Sequence, residues 1–262
     1  MRILCLGDSI MQYNDFSTFP QTGWVQELAR FFPDTTEWLN FARNGRSSKS
    51  FIDEGRFSCV MTEAEDGDFA LIQFAHNDEK SADPTRFTNP EKGGAFRKNL
   101  SYFVRELRSK GVFPVLLTPM ARRMFEDGKI QNSHGEYQKA IIETAESENV
   151  PCIDMNSLTM VFLEKKGEAA SRRYYMNFDA GEYENFPDGR NDNSHLRPEG
   201  ANAFSKIAAE EIKKIAEKFP EYKELSEACM KNTAGRFIEV KAILSEDANS
   251  EIDDEYTVFE KK

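Results

Sequence analysis

The sequence predicts a three-layer α/β/α sandwich around a parallel five-stranded sheet in the flavodoxin-like order 2-1-3-4-5. Apolar runs of strand length recur at residues 3–6, 38–42, 69–74, 112–117 and 151–153, and the segments between them carry apolar residues at helical spacing. Strands alternating with helices are joined by right-handed crossovers, which gives a parallel sheet covered on both faces. No Pro/Gly/Ser-rich linker breaks the alternation. The 262 residues therefore read as one domain over 1–219 followed by a C-terminal extension over 220–262.

The elements follow in order. The first strand, 3–6, runs into Gly7-Asp8-Ser9, and Trp24, Leu28 and Phe31 then mark a helical face. The second, 38–42, runs into Arg43-Asn44-Gly45-Arg46. The third, 69–74, runs into Ala75-His76-Asn77-Asp78, and Phe96, Leu100, Phe103, Val104 and Leu107 stripe the helix after it. The fourth, 112–117, leads to 119–123 and to a helix marked by Tyr137, Ile141, Ile142 and Ala145. After the fifth, 151–153, residues 158–164 read as a short helix. A polar stretch rich in Asp, Asn, Gly and aromatic residues then extends to His195, too long for an ordinary connection and so assigned to function. Residues 201–219 close the domain as a helix with Phe204, Ile207, Ala208, Ile212 and Ile215 on one face. The remainder reads as a further helical piece and a loosely held acidic tail over 246–255. In doubly wound sheets the ligand crevice lies beyond the carboxyl ends of the strands, where strand order reverses, so the first four loops should face one cleft.

Composition narrows the partners. A formal net charge of −11 argues against nucleic acid or an anionic membrane as the main partner. No apolar stretch approaches the ~20 residues needed to span a bilayer. Cys5, Cys59, Cys152 and Cys229 are widely spaced without a CxxC pair, and Cys5 and Cys152 read as buried free thiols. The first strand begins at Arg2, which leaves no room for a leader, so a cytoplasmic location is expected; a chain trimmed of its leader would look the same.

Ser9 on a turn after a buried strand, with Asp192 three residues before His195, supplies the parts of a nucleophilic hydrolase. A serine hydroxyl attacks poorly until a base takes its proton, which a neutral imidazole does well. A carboxylate that accepts the other imidazole N–H fixes the tautomer, a role for Asp192 with Asp188 as a nearby competitor. The oxyanion of a tetrahedral intermediate needs donors, and the backbone N–H groups of Ser9 and Gly45 and the side-chain amide of Asn77 come from three converging loops. Activity should therefore be lost as His195 takes up a proton.

Other residues carry two readings each. Asp8 reads as holding the turn through its side chain. His76 can contact a sugar hydroxyl or serve as an internal hydrogen-bonding residue, and His134 reads as an ordinary polar residue near a helix start. His76 with Asp78 resembles a metal pair, but no third ligand stands at metal-like spacing, so no metal is assigned. Arg46, Arg122 and Arg123 sit at the catalytic end, either to bind a substrate carboxylate in two-point fashion or to form internal ion pairs; Arg56 reads as structural. Tyr174, Tyr175, Phe178, Tyr183 and Phe186 either stack on sugars or pin the long segment.

Gly7-Asp8-Ser9, Gly45, Asn77 and Asp192-x-x-His195, in this order, resemble the four blocks of the GDSL or SGNH hydrolase superfamily. Residues 44–51, Glu54-Gly55-Arg56-Phe57 and Phe74-Ala75-His76-Asn77-Asp78 are similar to its rhamnogalacturonan acetylesterase branch, and the resemblance covers roughly residues 1–215. It implies an SGNH hydrolase fold and a carbohydrate acetylesterase acting without metal or other cofactor on acetylated, pectin-derived oligosaccharides. Ser9 would be the nucleophile, His195 the base and Asp192 its orienting partner. The third block usually opens with Gly, where this chain has Ala75, a change tolerable at negative φ. Two alternatives stay open: the same triad acting as a lipase, thioesterase or esterase on another acyl ester, and a catalytically silent glycan-binding protein of this fold. A nucleotide binder is disfavoured, because no GxGxxG or GxxxxGK loop follows the first strand.

Overall fold

Strand β1 (Arg2–Gly7) lies within the sheet, and its period-two alternation divides the core between the two faces. Ile3 and Cys5 join Trp24, Trp38, Leu71, Val115 and Phe204 on one face; Leu4 and Leu6 join Phe51, Phe74, Phe103, Leu116 and Ile141 on the other. The computed structural model describes residues 1–229 together with the backbone of Val240–Ala242.

Parallel neighbours of β1 are β2 (Glu37–Asn40) and β3 (Phe69–Gln73), with Ile3 opposite Trp38 on one side and Phe69 on the other. Beyond β3 lies β4 (Phe113–Leu117). A small antiparallel ribbon, β5 (Phe125–Glu126) with β6 (Lys129–Ile130), interrupts the loop that follows, and β7 (Cys152–Ile153) completes that side of the sheet. The order β2-β1-β3-β4-β7 is the one the five apolar runs predict. Two strands were not anticipated beside the sheet, β8 (Tyr175–Phe178) and β9 (Arg190–Leu196), which pair antiparallel. A further short strand, β10 (Val240–Ala242), pairs parallel with the outer edge of β2 and makes the sheet six-stranded.

On the first face pack α1 (Trp24–Leu28) and, from later in the chain, a helical group. Between them in sequence, α2 (Ser48–Asp53), α3 (Arg56–Glu63), α4 (Ala95–Ser109) and α5 (Gly135–Glu148) cover the second face. The first-face group consists of α6 (Met155–Lys166), which the short α7 (Glu168–Ser171) follows, and α8 (Pro198–Ile212), which starts with proline at its first turn, where the missing N–H costs nothing. The helix expected over 201–219 breaks at Lys213-Lys214, so α9 (Ile215–Lys218) is separate, and α10 (Lys223–Ala228) is the further helical piece. Tyr222 and Leu225 of the extension reach into the first-face core, where the Tyr222 hydroxyl donates to the Pro114 carbonyl at 2.7 Å. The acidic stretch 246–255 lies outside the described residues.

The four cysteines are free; Cys5 is buried and Cys152 half-buried. Burial pushes the Cys152 thiol up to about 12 and the Cys5 thiol higher still. No helix among the described residues is long and apolar enough to cross a membrane.

Candidate active site

Ser9 owes its place to the sharp turn at the end of β1. Gly7 passes so close to β3 that a Cβ there would lie 2.8 Å from the Gln73 carbonyl oxygen. Asp8 then folds the turn: its Oδ1 accepts from the Ile10 N–H at 3.0 Å, and its carbonyl accepts from Met11 and Gln12. Burial pushes the Asp8 carboxyl up to about 6, opposed by the Ile10 hydrogen bond and the positive charges of His195 and Arg122.

His195 and Asp192 both lie on β9. His195 Nε2 is 2.9 Å from Ser9 Oγ, and His195 Nδ1 is 2.7 Å from Asp192 Oδ2. The other Asp192 oxygen accepts from the backbone N–H groups of Ser194 and His195 at 2.8 and 3.0 Å, which fixes the carboxylate plane beneath the ring. Burial alone would raise the Asp192 carboxyl, but the His195 hydrogen bond and charge and the two backbone N–H groups hold it well below the ordinary carboxylate range. Arg190, which the sequence did not single out, donates to Asp192 Oδ2 at 3.1 Å. Asp188 is exposed on the preceding loop.

The second and third loops converge as expected. Arg43 N–H donates to the Gly7 carbonyl at 3.1 Å and Arg46 N–H to the Arg43 carbonyl at 3.2 Å, a tight turn in which Gly45 takes φ +77°. Asn77 Nδ2 donates to the Arg46 carbonyl at 3.1 Å, which draws its amide onto this loop and leaves its second N–H for another acceptor. Ala75 adopts φ +152°, a region glycine enters freely, so the negative φ under which its methyl group would be tolerated is not what the chain adopts. The substituted residue is wholly buried among the second-face core.

Asp78 ties the two loops together. Its carboxylate accepts from the Ser48 N–H at 3.0 Å, the Ser48 hydroxyl at 2.6 Å and the Thr88 hydroxyl at 2.7 Å. Burial pushes its pKa up to about 7 against the pull of those donors. Asp78→Ala would strand three buried donors, and a loss of about 2–4 kcal/mol is expected in urea unfolding. A loss below about 0.5 kcal/mol, the range of an ordinary surface change, would contradict the tie.

Of the remaining site candidates the arginines have internal polar partners, whereas both ring nitrogens of His76 are buried without a hydrogen-bond partner. His76 is only 8 % exposed, and its ring meets His134 edge-on at 4.6 Å. Burial, then the charges of His134, Arg122 and His195, hold it well below the usual imidazole range. His134, read as an ordinary polar residue, is buried with Nδ1 on Glu79 and Nε2 at the Met120 carbonyl. Glu79 also receives Arg122 at 2.7 Å; burial would raise its pKa, but His134 and Arg122 hold it low. Arg123 binds Asn193 Oδ1 at 3.2 Å, Ser171 Oγ and the Glu168 carbonyl, and so braces β9. Arg46 pairs with Glu54 at 2.7 Å.

A cationic group surrounds the Gly45 loop. Arg43, Arg46 and Arg56 gather around Glu54; burial and the Arg46 charge hold the guanidinium groups of Arg43 and Arg56 below their ordinary pKa. The Arg86 guanidinium lies 3.7 Å from where a Cβ on Gly45 would stand, beside Asp83 at 3.2 Å, and burial together with the Arg86 charge lowers the pKa of Lys80. The sequence missed Glu79 and Arg86, whose partners Arg122, His134 and the Gly45 loop are remote in the chain, and Arg190, although it stands only two residues before Asp192.

Residues 5–203 match the model of the GDSL-like lipase/acylhydrolase family. A rhamnogalacturonan acetylesterase of Bacillus subtilis (strain 168) is 35% identical over 216 residues, 82% of this chain and 90% of its own. A probable rhamnogalacturonan acetylesterase of the same organism is 34% identical over 81% of this chain and 93% of its own. The crystal structure of protein YxiM of Bacillus subtilis superposes with a TM-score of 0.68 at 24% identity, over 81% of this chain and 56% of that longer one.

Proposed function

The chain belongs to the GDSL-like lipase/acylhydrolase family and is a carboxylic ester hydrolase, and from that premise we propose that it removes O-acetyl groups from pectic, rhamnogalacturonan-derived oligosaccharides. One observation carries the mechanism: a single imidazole bridges Ser9 Oγ at 2.9 Å and Asp192 Oδ2 at 2.7 Å. His195 takes the Ser9 proton as Oγ adds to the acetyl carbonyl carbon, and Asp192 keeps the resulting imidazolium oriented. The N–H groups of Ser9, Gly45 and Asn77 meet the oxyanion. His195 then returns the proton to the departing sugar hydroxyl, leaving an acetyl-serine. Water, deprotonated by the same imidazole, adds to this acetyl group and releases acetate, while Ser9 recovers its proton.

The acidic substrate is supported by the relatives' names and by the cations beside the Gly45 loop, which set a local positive field on a chain of net charge −11. Arg122 and Arg123 are braced by remote parts of the fold, whereas Arg86 is more exposed and its partner Asp83 is three residues away, so Arg86 is the better candidate for the uronate carboxylate. The test compares acetate release from acetylated rhamnogalacturonan oligosaccharides, acetylated xylooligosaccharides and a small acetyl ester. The pectic substrate should be preferred, and Arg86→Ala should raise its KM about tenfold, roughly the 1.4 kcal/mol of one charge-assisted contact, with a smaller effect on the neutral xylan substrate. Preference for the neutral substrate in the wild type would defeat the pectic assignment, and hydrolysis of the small ester alone would return the enzyme to a different acyl ester.

A further inference from the structure

Six large hydrophobic side chains are exposed among the described residues, and four of them, Phe16, Phe19, Phe87 and Met124, lie on the loops beyond the carboxyl ends of β1, β3 and β4. That is the face on which the triad stands. Apolar surface left in water on one functional face marks a place where something binds. The most exposed member of this set, Phe16, shares the segment between Ser9 and α1 with Phe19. Phe16 is 58 % exposed and Phe19 38 %, and their rings are nearly parallel, 8° apart, with centroids 6.2 Å from each other.

Such rings on a loose turn would mean little, but this turn is held. The Asp15 carboxylate accepts from the Ser17 N–H, and the Phe19 N–H closes back on the Phe16 carbonyl at 3.2 Å. Asn185 Nδ2 donates to the carbonyls of both Phe16 and Phe19, at 2.7 and 3.0 Å. The far root of the segment is bonded beside the catalytic histidine, where the Thr22 N–H donates to the Leu196 carbonyl at 3.0 Å. Behind the exposed rings runs an aromatic chain: Phe19 meets Tyr183 edge-on at 5.8 Å, Tyr183 meets Phe178 at 4.7 Å, and Phe178 meets Phe186 at 5.8 Å. Arg190 lies over Phe186 at 5.1 Å and donates to Asp192. The Asn185 side-chain amide fixes the backbone of both phenylalanines, and the aromatic backing orients Phe19, against which Phe16 lies parallel, although neither is buried.

We infer that Phe16 and Phe19 form a stacking platform for a pyranose ring of the oligosaccharide, beside the sugar that carries the acetyl group. The chemistry matches: a pyranose presents an apolar C–H face to an aromatic ring and keeps its hydroxyls in water at the rim. Tyr183, with its hydroxyl 3.4 Å from Arg197 Nη1, sets the orientation of Phe19 from behind. The inference rests on the carbohydrate reading proposed above, since a small ester would not reach beyond Ser9. Binding at a remote sugar should act mainly on KM.

The experiment measures kcat/KM on acetylated rhamnogalacturonan oligosaccharides of increasing length and on a small acetyl ester, for the wild type, Phe16→Ala, Phe19→Ala, the double variant and Phe16→Tyr. Tyr102→Ala, an exposed aromatic on α4, is the control. The ratio of the two kcat/KM values should fall about tenfold or more in the double variant, through KM and only for chains long enough to reach the platform. Phe16→Tyr should restore it and Tyr102→Ala should leave it in place. An unchanged ratio, or an equal loss on both substrates, would overturn the platform. A wild type that cleaves the small ester but no acetylated oligosaccharide would overturn the carbohydrate reading itself, an outcome visible without any variant.

Discussion

Ser9→Ala is expected to lower kcat for acetate release by about 10⁶, the loss seen when a triad nucleophile is removed. The size follows from the role. Alanine preserves the turn, because the fold of that turn depends on the Asp8 side chain and carbonyl and not on the serine hydroxyl. It removes only the atom that would form the acetyl-enzyme and one hydrogen bond to His195 Nε2, worth about 1 kcal/mol of stability. The thermal midpoint should therefore stay within a few degrees of the wild type while turnover disappears. Residual hydrolysis from oriented water and the oxyanion donors is far slower than the serine pathway. Retention of more than about 1% of wild-type kcat would place the nucleophile elsewhere, because positioning losses of that size do not require a missing nucleophile.

The parts of the fold that were legible from sequence are those where local pattern and global burial agree. Residues 3–6, 69–74 and 112–117 are apolar on both faces because the strands are buried on both, and the helices between them imply the crossovers that make the sheet parallel. The candidates Ser9, Gly45 and Asn77 were grouped by the rule that strand ends bring separated loops to one crevice, and Asp192 and His195 by their three-residue spacing and the family resemblance; the structure brings His195 to Ser9 and Asn77 to the Gly45 loop. What stayed hidden depends on partners. Strand β9 is Arg-Asn-Asp-Asn-Ser-His-Leu, a run with little intrinsic strand preference, and it is extended because β8 pairs with it and Arg123 and Asn177 hold Asn193. The same holds for the arginines: Arg122 was equally compatible with a substrate carboxylate or an internal one, and only the fold reveals Glu79 at 2.7 Å. Arg86 was overlooked because nothing in its own neighbourhood of sequence says that the loop after β3 folds over Gly45.

Asp192→Asn separates orientation from nucleophilicity, and its expected cost is about 10⁴ in kcat, that of a histidine forced into the wrong tautomer. The geometry shows why an isosteric change would do so much. Asp192 Oδ1 is already occupied by the N–H groups of Ser194 and His195, and Oδ2 accepts from His195 Nδ1. In the asparagine, the single oxygen is held by those two backbone donors, so the amide NH₂ faces Nδ1. Two donors cannot face each other, and Nδ1 must become the acceptor. The ring proton then moves to Nε2, the nitrogen that should receive the Ser9 proton, and attack is blocked with every heavy atom in place. Nitrogen NMR of the imidazole should show the proton transferred from Nδ1 to Nε2. Stability provides an independent check: because the folded pKa of Asp192 is lowered, its hydrogen-bonded carboxylate contributes stability above about pH 4, where the unfolded carboxylate is charged, and this is lost as the pH falls through the folded value. The variant should thus be less stable than the wild type at neutral pH, with the gap narrowing in strong acid. A loss in kcat of less than about tenfold, with Nδ1 still protonated, would show that another group orients His195.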